Sequence, residues 1–384
     1  MKTMKIAVIE PVGGHGGMNY YDFGLCGGLA KTGGEVTLYT CDETIVPHSL
    51  TFNVKRYFQN IYGNAPKLVR AGRYLLGLLR SLSDAHSFNA KLVHFHFFHA
   101  SLLEWLSVNF AKLYGFKVVV TAHDVESFVG NSNKWIAQTI YRNSDLVIAH
   151  NQVIRNELIE RLHVSQSKIR VISHGNYIDF VGSRLTQQES REKLAFVGKG
   201  PFILFFGQIK EVKGLDILIN ALADVSINFP AIKLVIAGKV WKDDFSHYQA
   251  LIEKYKLDNQ VISHIRYIPD ELVRYYYHAS DLVVLPYRKI YQSGVLLMAM
   301  SFGCPVFVSN LQGMTEMIQD NVNGFVFNQG DSGHLAQRLN EVLSEPQKMM
   351  EVAEAGYETV FSRSSWINIG QETIQAYSKL ENVL

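Results

Sequence analysis

The sequence predicts two α/β domains in tandem, each a parallel sheet wrapped by helices in a doubly wound, Rossmann-like arrangement. Short β-branched runs alternate with longer amphipathic stretches along nearly the whole chain, a pattern typical of parallel strands joined by helical crossovers. The chain has 384 residues, which exceeds one ordinary core and suits two domains of roughly 150–200 residues. A polar interval without a steady period, residues 179–200, separates two series of predicted strands.

The strands are predicted in chain order. The first series is Lys5–Glu10, Glu35–Thr40, Leu92–Phe97, Lys117–Ala122, Asp145–His150 and Ile169–Ser173. The second series is Phe202–Phe206, Ile232–Ala237, Val261–Ile265, Asp281–Leu285, Val306–Ser309 and Gly324–Phe327. We therefore expect an N-terminal domain over residues 1–180, a linker over 181–199 and a C-terminal domain over 200–362. Residues 363–384 have the spacing of a helix that we expect to return to the N-terminal domain.

Composition excludes several classes of protein. The chain is 47% hydrophobic and 19% charged with a net charge of +2, so no global field favours a nucleic-acid partner. Its three cysteines, Cys26, Cys41 and Cys304, lie far apart, which fits a reducing compartment better than a disulfide framework. No apolar run approaches the length of a membrane span, and the N-terminus is unlike a signal peptide. We expect a cytoplasmic protein.

A short helix is predicted to begin at Ser293-Gly294, after the strand Asp281–Leu285. The first turn of a helix has unpaired N–H groups and partial positive charge. Gly294 would let a ligand approach the backbone, and the Ser293 hydroxyl could donate one more hydrogen bond, so this position suits an anion. Simple N-capping by Ser293 is the alternative interpretation.

A second phosphate-binding feature lies upstream, in "FILFFGQIKEVKGLDILINAL". The segment runs from a strand through Gly207 to Lys213-Gly214 and into an amphipathic helix. A lysine at the mouth of such a unit can reach a phosphate as a point charge. The alternative is a solvated surface lysine.

Residues 200–330 resemble the nucleotide-sugar domain of the GT-B glycosyltransferases, specifically the large retaining family 4. The resemblance rests on the order and spacing of Gly207, Lys213-Gly214-Leu215-Asp216, "LVIAGK", "IRYIPDELVRYYYHASDLVVLPY", the Ser293-Gly294 helix, "SFGCPVFVS" and "LQGMTEMIQDNVNGFVF". The N-terminal half is similar more loosely, through "PVGGHGGMNYYDFGLCGGLAKTGGEVTLYT", "VVVTAHDV" and "VISHGNY". This resemblance implies two Rossmann-like domains facing across a cleft, with ligands at the carboxyl ends of the strands.

The resemblance also implies roles for matching positions. His123 is expected at the donor sugar near the reacting bond, as the catalytic residue. The donor diphosphate is expected to bind Lys213, Ser293 and Gly294, with the glycine loop Gly14, Gly16 and Gly17 closing on it from the other domain. The donor base and sugar are expected to contact Gly207, Gln208, Ile265, Arg266, Tyr267, Gln292, Val295 and Met298.

Two positions depart from the family pattern. The family often has two glutamates with seven residues between them, and the matching positions here are Ile290 and Met298. The arginine usual after Gly207 is Gln208, and Lys210 is a weak substitute for its charge. We interpret these changes as an altered way of binding the nucleotide-sugar donor rather than as loss of activity.

The implied activity is a retaining transfer of a hexose from a UDP- or GDP-sugar to a saccharide or lipid-linked saccharide, in polysaccharide or glycolipid assembly. The chain has no Asp-x-Asp, and helix amides with Lys213 can stabilise the leaving diphosphate, so no metal or other cofactor is expected. Ile290 and Met298 motivate one alternative, a non-catalytic nucleotide-sugar-binding subunit. A GT-B-like sugar-nucleotide epimerase is the other, although it would want acidic residues that the Ser293 helix lacks.

Histidines in the first domain have structural alternatives. His123 ends an apolar strand at the sheet edge where ligands bind, and a satisfied buried histidine is the rival interpretation. His94, His96 and His99 in "HFHFFH" suggest a metal site, but no cysteine or carboxylate pair accompanies them, so packing is favoured. His15 lies inside the glycine loop and is either a substrate contact or an ordinary loop residue.

Residues 44–83 contain no acidic residue and carry a basic, aromatic and leucine-rich stretch that includes Arg70, Arg73 and Arg80. One interpretation is a peripheral contact with the anionic inner face of the plasma membrane, which would favour a lipid-linked acceptor. A helix that packs its leucines onto the first domain is the other. The same patch could instead bind an anionic soluble acceptor such as a sugar phosphate.

Overall fold

The chain forms two compact α/β units in a computed structural model, which describes residues 3–13, 17–98, 100–124, 133–241 and 244–381. The first unit comprises Met1–Gly175 together with Arg363–Leu384, and the second comprises Asn176–Ser362. Both sheets are parallel throughout their described pairings. The predicted fold class is confirmed.

The first unit is a seven-stranded sheet in the order β3-β2-β1-β4-β5-β6-β7. Its strands are β1 Met4–Ile9, β2 Gly34–Cys41, β3 Asn53–Phe58, β4 Leu92–Phe97, β5 Lys117–Ala122, β6 Leu146–Ala149 and β7 Ile169–Val171. Its first five helices are α1 Met18–Lys31, α2 Lys67–Ser87, α3 Leu102–Leu113, α4 Lys134–Asn143 and α5 Gln152–Glu160. The central strands are buried except for the half-buried first residues of β1 and β5, as expected where helices cover both faces.

The second unit is a six-stranded sheet in the order β10-β9-β8-β11-β12-β13. Its strands are β8 Phe202–Phe206, β9 Lys233–Ala237, β10 Val261–His264, β11 Leu282–Leu285, β12 Val306–Ser309 and β13 Phe325–Phe327. Its helices are α6 Ile178–Val181, α7 Gln187–Lys193, α8 Leu215–Asn228, α9 Ser246–Lys254, α10 Asp270–Ala279, α11 Gly294–Ser301, α12 Gln312–Thr315, α13 Ser332–Leu343 and α14 Pro346–Arg363. Two buried apolar clusters form its core.

Each sheet has one topological switch point. Strand order reverses between β1 and β4 in the first unit and between β8 and β11 in the second. The carboxyl ends of these strand pairs form a crevice where ligands of doubly wound sheets usually bind. The switch points therefore indicate where each unit holds its candidate site.

The last helix, α15 Trp366–Glu381, packs on α1 within the first unit. The backbones approach so closely that a Cβ at Gly28 would lie 2.1 Å from the Trp366 carbonyl oxygen, and one at Gly370 would lie 2.4 Å from the Gly28 carbonyl carbon. Farther along α15, the Tyr377 hydroxyl lies 2.6 Å from His94 Nδ1. Glycines at the crossing thus let the end of the chain pack on the first unit.

Two features differ from the sequence prediction. Strand β3 was not predicted, because it is an edge strand whose residues are mostly exposed or half-buried. The predicted linker, residues 181–199, contains helix α7 and lies within the second unit. Helix α7 is anchored by Arg191, whose guanidinium lies 2.7 Å from the Asp281 carboxylate. Within the described ranges, no helix is both long enough and apolar enough to cross a membrane.

Candidate functional site

The loops after β8 and β11 lie directly against each other at the switch point of the second unit. Gly214, at the start of α8, has φ 65°, and a Cβ there would lie 1.9 Å from the Pro286 carbonyl oxygen. Only glycine satisfies both the left-handed backbone and this close approach. The structure thereby brings Lys213 beside the loop that leads to α11.

The Lys213 ammonium is held at this junction rather than extended into solvent. Its Nζ lies 3.7 Å from the centre of the Tyr287 ring, a cation–π contact. Tyr287 is buried and follows Pro286 at the end of β11. Lys213 is therefore a pre-positioned positive charge within the switch-point crevice.

Arg288 braces the turn that carries Lys213. Its Nη1 donates to the Glu211 carbonyl oxygen at 3.0 Å and to Asp216 Oδ1 at 2.7 Å. Burial alone would raise the pKa of Asp216, but the hydrogen bonds and charge of Arg288 outweigh burial and hold that pKa below its usual value. The interaction between Arg288 and Asp216 was not predicted from the sequence, although Asp216 belongs to one of the segments that carry the family resemblance.

The first turn of α11 lies beyond the same junction. The Ser293 hydroxyl oxygen accepts a hydrogen bond from the Leu296 N–H at 3.2 Å, so Ser293 is the N-cap, as the alternative interpretation held. This role leaves the hydroxyl hydrogen available to a ligand. Gln292 adds a donor, because its Nε2 is buried and has no hydrogen-bond partner among the described residues. The turn presents several donors and no acidic side chain.

The residues predicted to contact the donor base and sugar lie at the same edge of the second sheet. Gly207 and Gln208 follow β8, and a Cβ on Gly207 would lie 3.4 Å from Val295 in α11. Ile265, Arg266 and Tyr267 follow the edge strand β10, where Tyr267 is 67% exposed. Gly207 and Gln208 therefore lie beside α11, whereas Ile265, Arg266 and Tyr267 lie next to the outermost strand of the sheet. Lys210, the weak substitute for the missing arginine, has its Nζ 4.7 Å from the Trp241 ring centre.

Ile290 and Met298 are packed as apolar side chains against the core of the second unit. Neither side chain can accept hydrogen bonds from a ribose or a donor sugar as a carboxylate would. The main-chain oxygens of Ile290 and Tyr291 instead lie close to Gly313, where a Cβ would be 2.8 and 2.6 Å away from them. Where the family often has two carboxylates, this chain therefore has two apolar side chains that pack against the core. The backbone of α12 lies close to the loop that contains Ile290 and Tyr291.

Four buried histidines contact the Tyr21 ring near the carboxyl edge of the first sheet: His96, His123, His150 and His174. A fifth buried histidine, His94, lies further back on β4 and contacts His96. Burial, with the neighbouring imidazoles, lowers the pKa of His123 well below its usual value. Burial likewise lowers the pKa of His150 to about 3 and that of His174 to about 4. These rings are neutral at physiological pH.

The hydrogen bonds of His150 determine which nitrogen of His123 carries the proton. His150 Nδ1 lies 3.1 Å from the Ile172 carbonyl oxygen, so Nδ1 carries the hydrogen and donates. His150 Nε2 is then an acceptor for His123 Nδ1–H, 3.2 Å away. His123 Nε2 consequently presents a lone pair, and it has no partner among the described residues.

A second buried polar group was missed by the sequence prediction. Glu10, at the end of β1, Asp22 on α1 and His96 on β4 are all buried, and each offers an atom within 4.8 Å of the others. His96 Nδ1 lies 3.0 Å from Asp22 Oδ1. Carboxylates and imidazole form a donor set that suits several divalent cations, whereas the sequence was interpreted without any metal. The residues come from distant segments, so spacing carried no signal.

The three arginines of the predicted basic patch all lie on helix α2 but have different surroundings. Arg70 lines a cavity at the switch point of the first unit, Arg73 Nη1 donates to the Asn60 carbonyl oxygen at 2.9 Å, and Arg80 is exposed. Leu78 and Leu82 are buried, while Leu68 and Leu76 are exposed. The helix therefore packs one leucine face inward and leaves other leucines uncovered within the described unit.

Some predicted residues lie outside the described ranges: Gly14, His15 and Gly16 of the glycine loop, and His99. Gly17 is described and caps the N-terminus of α1 with φ 80°.

A separate cavity of about 890 Å³ in the second unit is lined by Pro201, Asp281 and Pro305 among others. Those residues precede β8, β11 and β12, so this cavity lies at the amino edge, away from the switch point.

Two protein-family models match the chain, one in each half. Residues 186–359 match "Glycosyl transferases group 1", and residues 15–179 match "Glycosyltransferase Family 4". Together they account for most of both units.

Curated relatives are distant in sequence. Spore coat protein SA of Bacillus subtilis (strain 168) is 23% identical over 61% of this chain and 64% of that protein. The chain thus spans less than two thirds of that relative's length. The D-inositol 3-phosphate glycosyltransferase of Mycolicibacterium smegmatis is 23% identical over 96% of this chain and 87% of that protein.

Solved structures share the fold over nearly the full length. Sucrose-phosphate synthase from Thermosynechococcus elongatus superposes with a TM-score of 0.81 at 20% identity, covering 99% of this chain and 100% of that one. HepE of Anabaena, solved in complex with UDP-glucose, has a TM-score of 0.77 at 20% identity, covering 98% and 100%. At these identities the likeness establishes the fold.

Proposed function

Because the chain belongs to the family 4 glycosyltransferases of GT-B fold, we propose that it transfers a hexose from a UDP- or GDP-sugar to a saccharide or lipid-linked saccharide, with retention of configuration. The observation that carries the proposal is the junction of the loops after β8 and β11. There, Lys213 lies over Tyr287 and the donor-rich first turn of α11 follows. A positive charge and unpaired amides in one crevice suit the diphosphate of a nucleotide sugar.

The same groups serve the chemical step. As the bond between the anomeric carbon and the diphosphate oxygen breaks, negative charge develops on the leaving diphosphate. Lys213 and the N–H groups at the start of α11 stabilise that charge without a metal ion. The acceptor hydroxyl forms the new bond on the face from which the diphosphate leaves, and its proton passes to the departing group.

His123 orients the donor sugar in this proposal. Its ring is neutral, and its Nδ1–H is engaged by His150. Nε2 therefore accepts a hydrogen bond from a sugar hydroxyl and repels a carboxylate at the same position. We expect hexoses to be favoured over the corresponding uronic acids.

The relatives support the choice of substrates. HepE has been solved with UDP, with UDP-glucose and with UDP and glucose, and another relative is named for D-inositol 3-phosphate. A role in polysaccharide or glycolipid assembly, in the cytoplasm or at the inner face of the plasma membrane, is the corresponding proposal for this chain.

A non-catalytic nucleotide-sugar-binding subunit is the second candidate. The packing of Ile290 and Met298 against the core favours it, because neither side chain can hold a donor hydroxyl. Binding of UDP or GDP is common to both candidates, and only turnover separates them.

The experiment is a panel of UDP- and GDP-sugars examined by calorimetry and by slow donor hydrolysis. Hydrolysis of one donor that His123→Ala reduces, with donor affinity little changed, supports the transferase. Tight binding without hydrolysis, with or without acceptor extracts, would favour the binding subunit. Absence of binding to every nucleotide would reject both.

A further inference from the structure

The buried group formed by Glu10, Asp22 and His96 has no part in the proposed transfer. Glu10 follows β1, Asp22 lies on α1 and His96 lies on β4, so three separate elements of the first unit each contribute one side chain. Their exposed fractions are 0%, 1% and 3%. Polar side chains buried to this degree normally have hydrogen-bond partners or opposite charges, so the partners of this group can be counted.

The hydrogen bonds of the group leave two carboxylate oxygens unsatisfied. Glu10 Oε1 accepts from the Val12 N–H at 2.6 Å, and Asp22 Oδ1 lies 3.0 Å from His96 Nδ1. Glu10 Oε2 and Asp22 Oδ2 have no hydrogen-bond partner among the described residues. An unpaired buried acceptor is costly. Two such oxygens in one group indicate a missing electropositive partner.

The group also lacks a compensating positive charge. Among the described residues, no lysine or arginine forms an ion pair with Glu10 or Asp22, and His96 is the basic side chain near both. Lys67 and Arg70 line a cavity together with Glu10, but neither donates to Glu10 Oε2. Burial and the neighbouring Asp22 raise the pKa of Glu10, and burial raises that of Asp22. A bound cation would stabilise both carboxylates in their ionised form.

The donor atoms have nearly the separations expected of ligands to one metal ion. His96 Nδ1 lies 3.0 Å from Asp22 Oδ1 and 3.9 Å from Glu10 Oε2, and the ligand atoms of the three residues all lie within 4.8 Å of one another. Metal–ligand bonds of about 2.0–2.2 Å place neighbouring ligands about 3–3.5 Å apart. Asp22 fits this spacing and Glu10 slightly exceeds it.

The structure supplies the carboxylate pair that the local sequence "HFHFFH" lacks. His94 is already engaged, because its Nε2 lies 2.7 Å from Thr121 Oγ1 and its Nδ1 lies 2.6 Å from the Tyr377 hydroxyl. His96 is instead directed at the two carboxylates. Of the two histidines on β4, only His96 therefore has the partners of a metal ligand.

A path to the group exists within the first unit. Glu10 and His96 line the cavity of about 350 Å³ at the switch point, which is large enough to admit a hydrated ion. Three protein ligands leave at least one coordination position for water. The cavity therefore provides both the entry path and room for that water.

We propose that Glu10, Asp22 and His96 form a binding site for one divalent transition-metal ion, of the class that includes Zn²⁺ and Mn²⁺. Glu10 Oε2, one Asp22 oxygen and His96 Nδ1 are the ligands, and the imidazole keeps its hydrogen on Nε2. An imidazole beside two carboxylates favours this class of ion over Mg²⁺. The ion links β1, α1 and β4 and stabilises the first unit. None of its ligands belongs to the second unit, so the inference does not depend on the proposed transfer.

The test is calorimetric titration of the full chain, first dialysed against a chelator, with ZnCl₂, MnCl₂ and MgCl₂ separately. We expect one equivalent of Zn²⁺ or Mn²⁺ to bind, Zn²⁺ at least about tenfold more tightly than Mn²⁺, and no saturable binding of Mg²⁺. Bound Zn²⁺ or Mn²⁺ should also raise Tm in a concentration-dependent manner.

Two near-isosteric variants identify the ligands. Glu10→Gln and Asp22→Asn should each weaken Zn²⁺ binding at least about tenfold, since even outer-shell partners of a metal contribute that much. His48→Gln, which removes an exposed histidine of the same unit, is the matched control and should leave the affinity unchanged. Anomalous scattering from wild-type crystals soaked in Mn²⁺ or Zn²⁺ does not depend on variants that fold, and it should place one ion between the three side chains.

Three results would overturn the inference. One is the absence of saturable Zn²⁺ and Mn²⁺ binding up to about 1 mM, which would mean that the buried carboxyl groups hold protons instead of an ion. A second is metal binding that both Glu10→Gln and Asp22→Asn retain in full. The third is an anomalous signal found only at other residues, such as the exposed histidines.

Discussion

Replacement of Gly214 by alanine should both destabilise the second unit and weaken nucleotide binding. The residue has φ 65°, and an added Cβ would lie 1.9 Å from the Pro286 carbonyl oxygen, a backbone atom that cannot rotate away. The loops after β8 and β11 must therefore move apart. Because Lys213 is the adjacent residue and contacts Tyr287, the movement separates the ammonium from the first turn of α11.

The magnitude follows from two contributions. A left-handed backbone costs a non-glycine residue about 1–2 kcal/mol, and forced overpacking adds about 1–3 kcal/mol. Gly303 supplies the matched control, since it has φ 68° and a Cβ there would meet nothing within 4 Å. We expect Gly303→Ala to cost about 1–2 kcal/mol of unfolding free energy and Gly214→Ala about 2–5 kcal/mol.

Urea unfolding of the full-length variants measures the first quantity, and calorimetric titration with UDP and GDP measures the second. Gly303→Ala should leave nucleotide affinity unchanged, whereas Gly214→Ala should lower it about tenfold or more, equivalent to at least about 1.4 kcal/mol. Equal destabilisation of the two variants, with nucleotide affinity intact in both, would refute the reasoning that close packing of these loops forms the site.

Three further predictions follow from the same geometry. Lys213→Met should weaken UDP binding about 10–100-fold and change unfolding free energy by no more than about 1 kcal/mol, the worth of its cation–π contact. His150→Leu should lower kcat more than it changes KM, since His123 loses the acceptor that orients it, and His150→Gln should restore part of the rate. The pKa of His150 is about 3 in the folded chain against about 6.5 when unfolded, so unfolded chains take up the extra proton below pH 6.5. Wild type should therefore lose about 1.4 kcal/mol per pH unit relative to His150→Gln as pH falls from 6.5 towards 4.

Each of these predictions has a result that contradicts it. Unchanged UDP affinity in Lys213→Met would remove the ammonium from the diphosphate site. Equal kinetics for His150→Leu and His150→Gln would show that the hydrogen bond to His123 has no catalytic consequence. A stability difference that is constant between pH 7 and pH 4 would mean that His150 is not held neutral by burial.

Most of the architecture was predictable because buried parallel strands are continuous apolar runs. The strand at Asn53–Phe58 escaped prediction since an edge strand has no such run. The polar interval before β8 was interpreted as a linker, but Thr186 and Glu189 form a capping box at the start of α7. That four-residue signal was present in the sequence and indicated a helix.

The switch-point crevice of the second unit was partly predictable, and the polar cavity of the first unit was not. Lys213 and Ser293 each follow a predicted strand, so the edge of the sheet was already indicated for both. Glu10, His96 and Arg70 are contributed by three distant segments, and only packing brings them to one cavity. A histidine just after several consecutive strands, as at His123 and His150, was a signal for the buried imidazole cluster.

A crystal structure of the chain with UDP bound tests the central claim most directly. We expect both phosphates in the crevice between β8 and β11, with the Lys213 ammonium and the main-chain N–H groups at the start of α11 within hydrogen-bond distance of their oxygens. UDP bound elsewhere, or a first turn of α11 covered by protein side chains in the complex, would contradict the account.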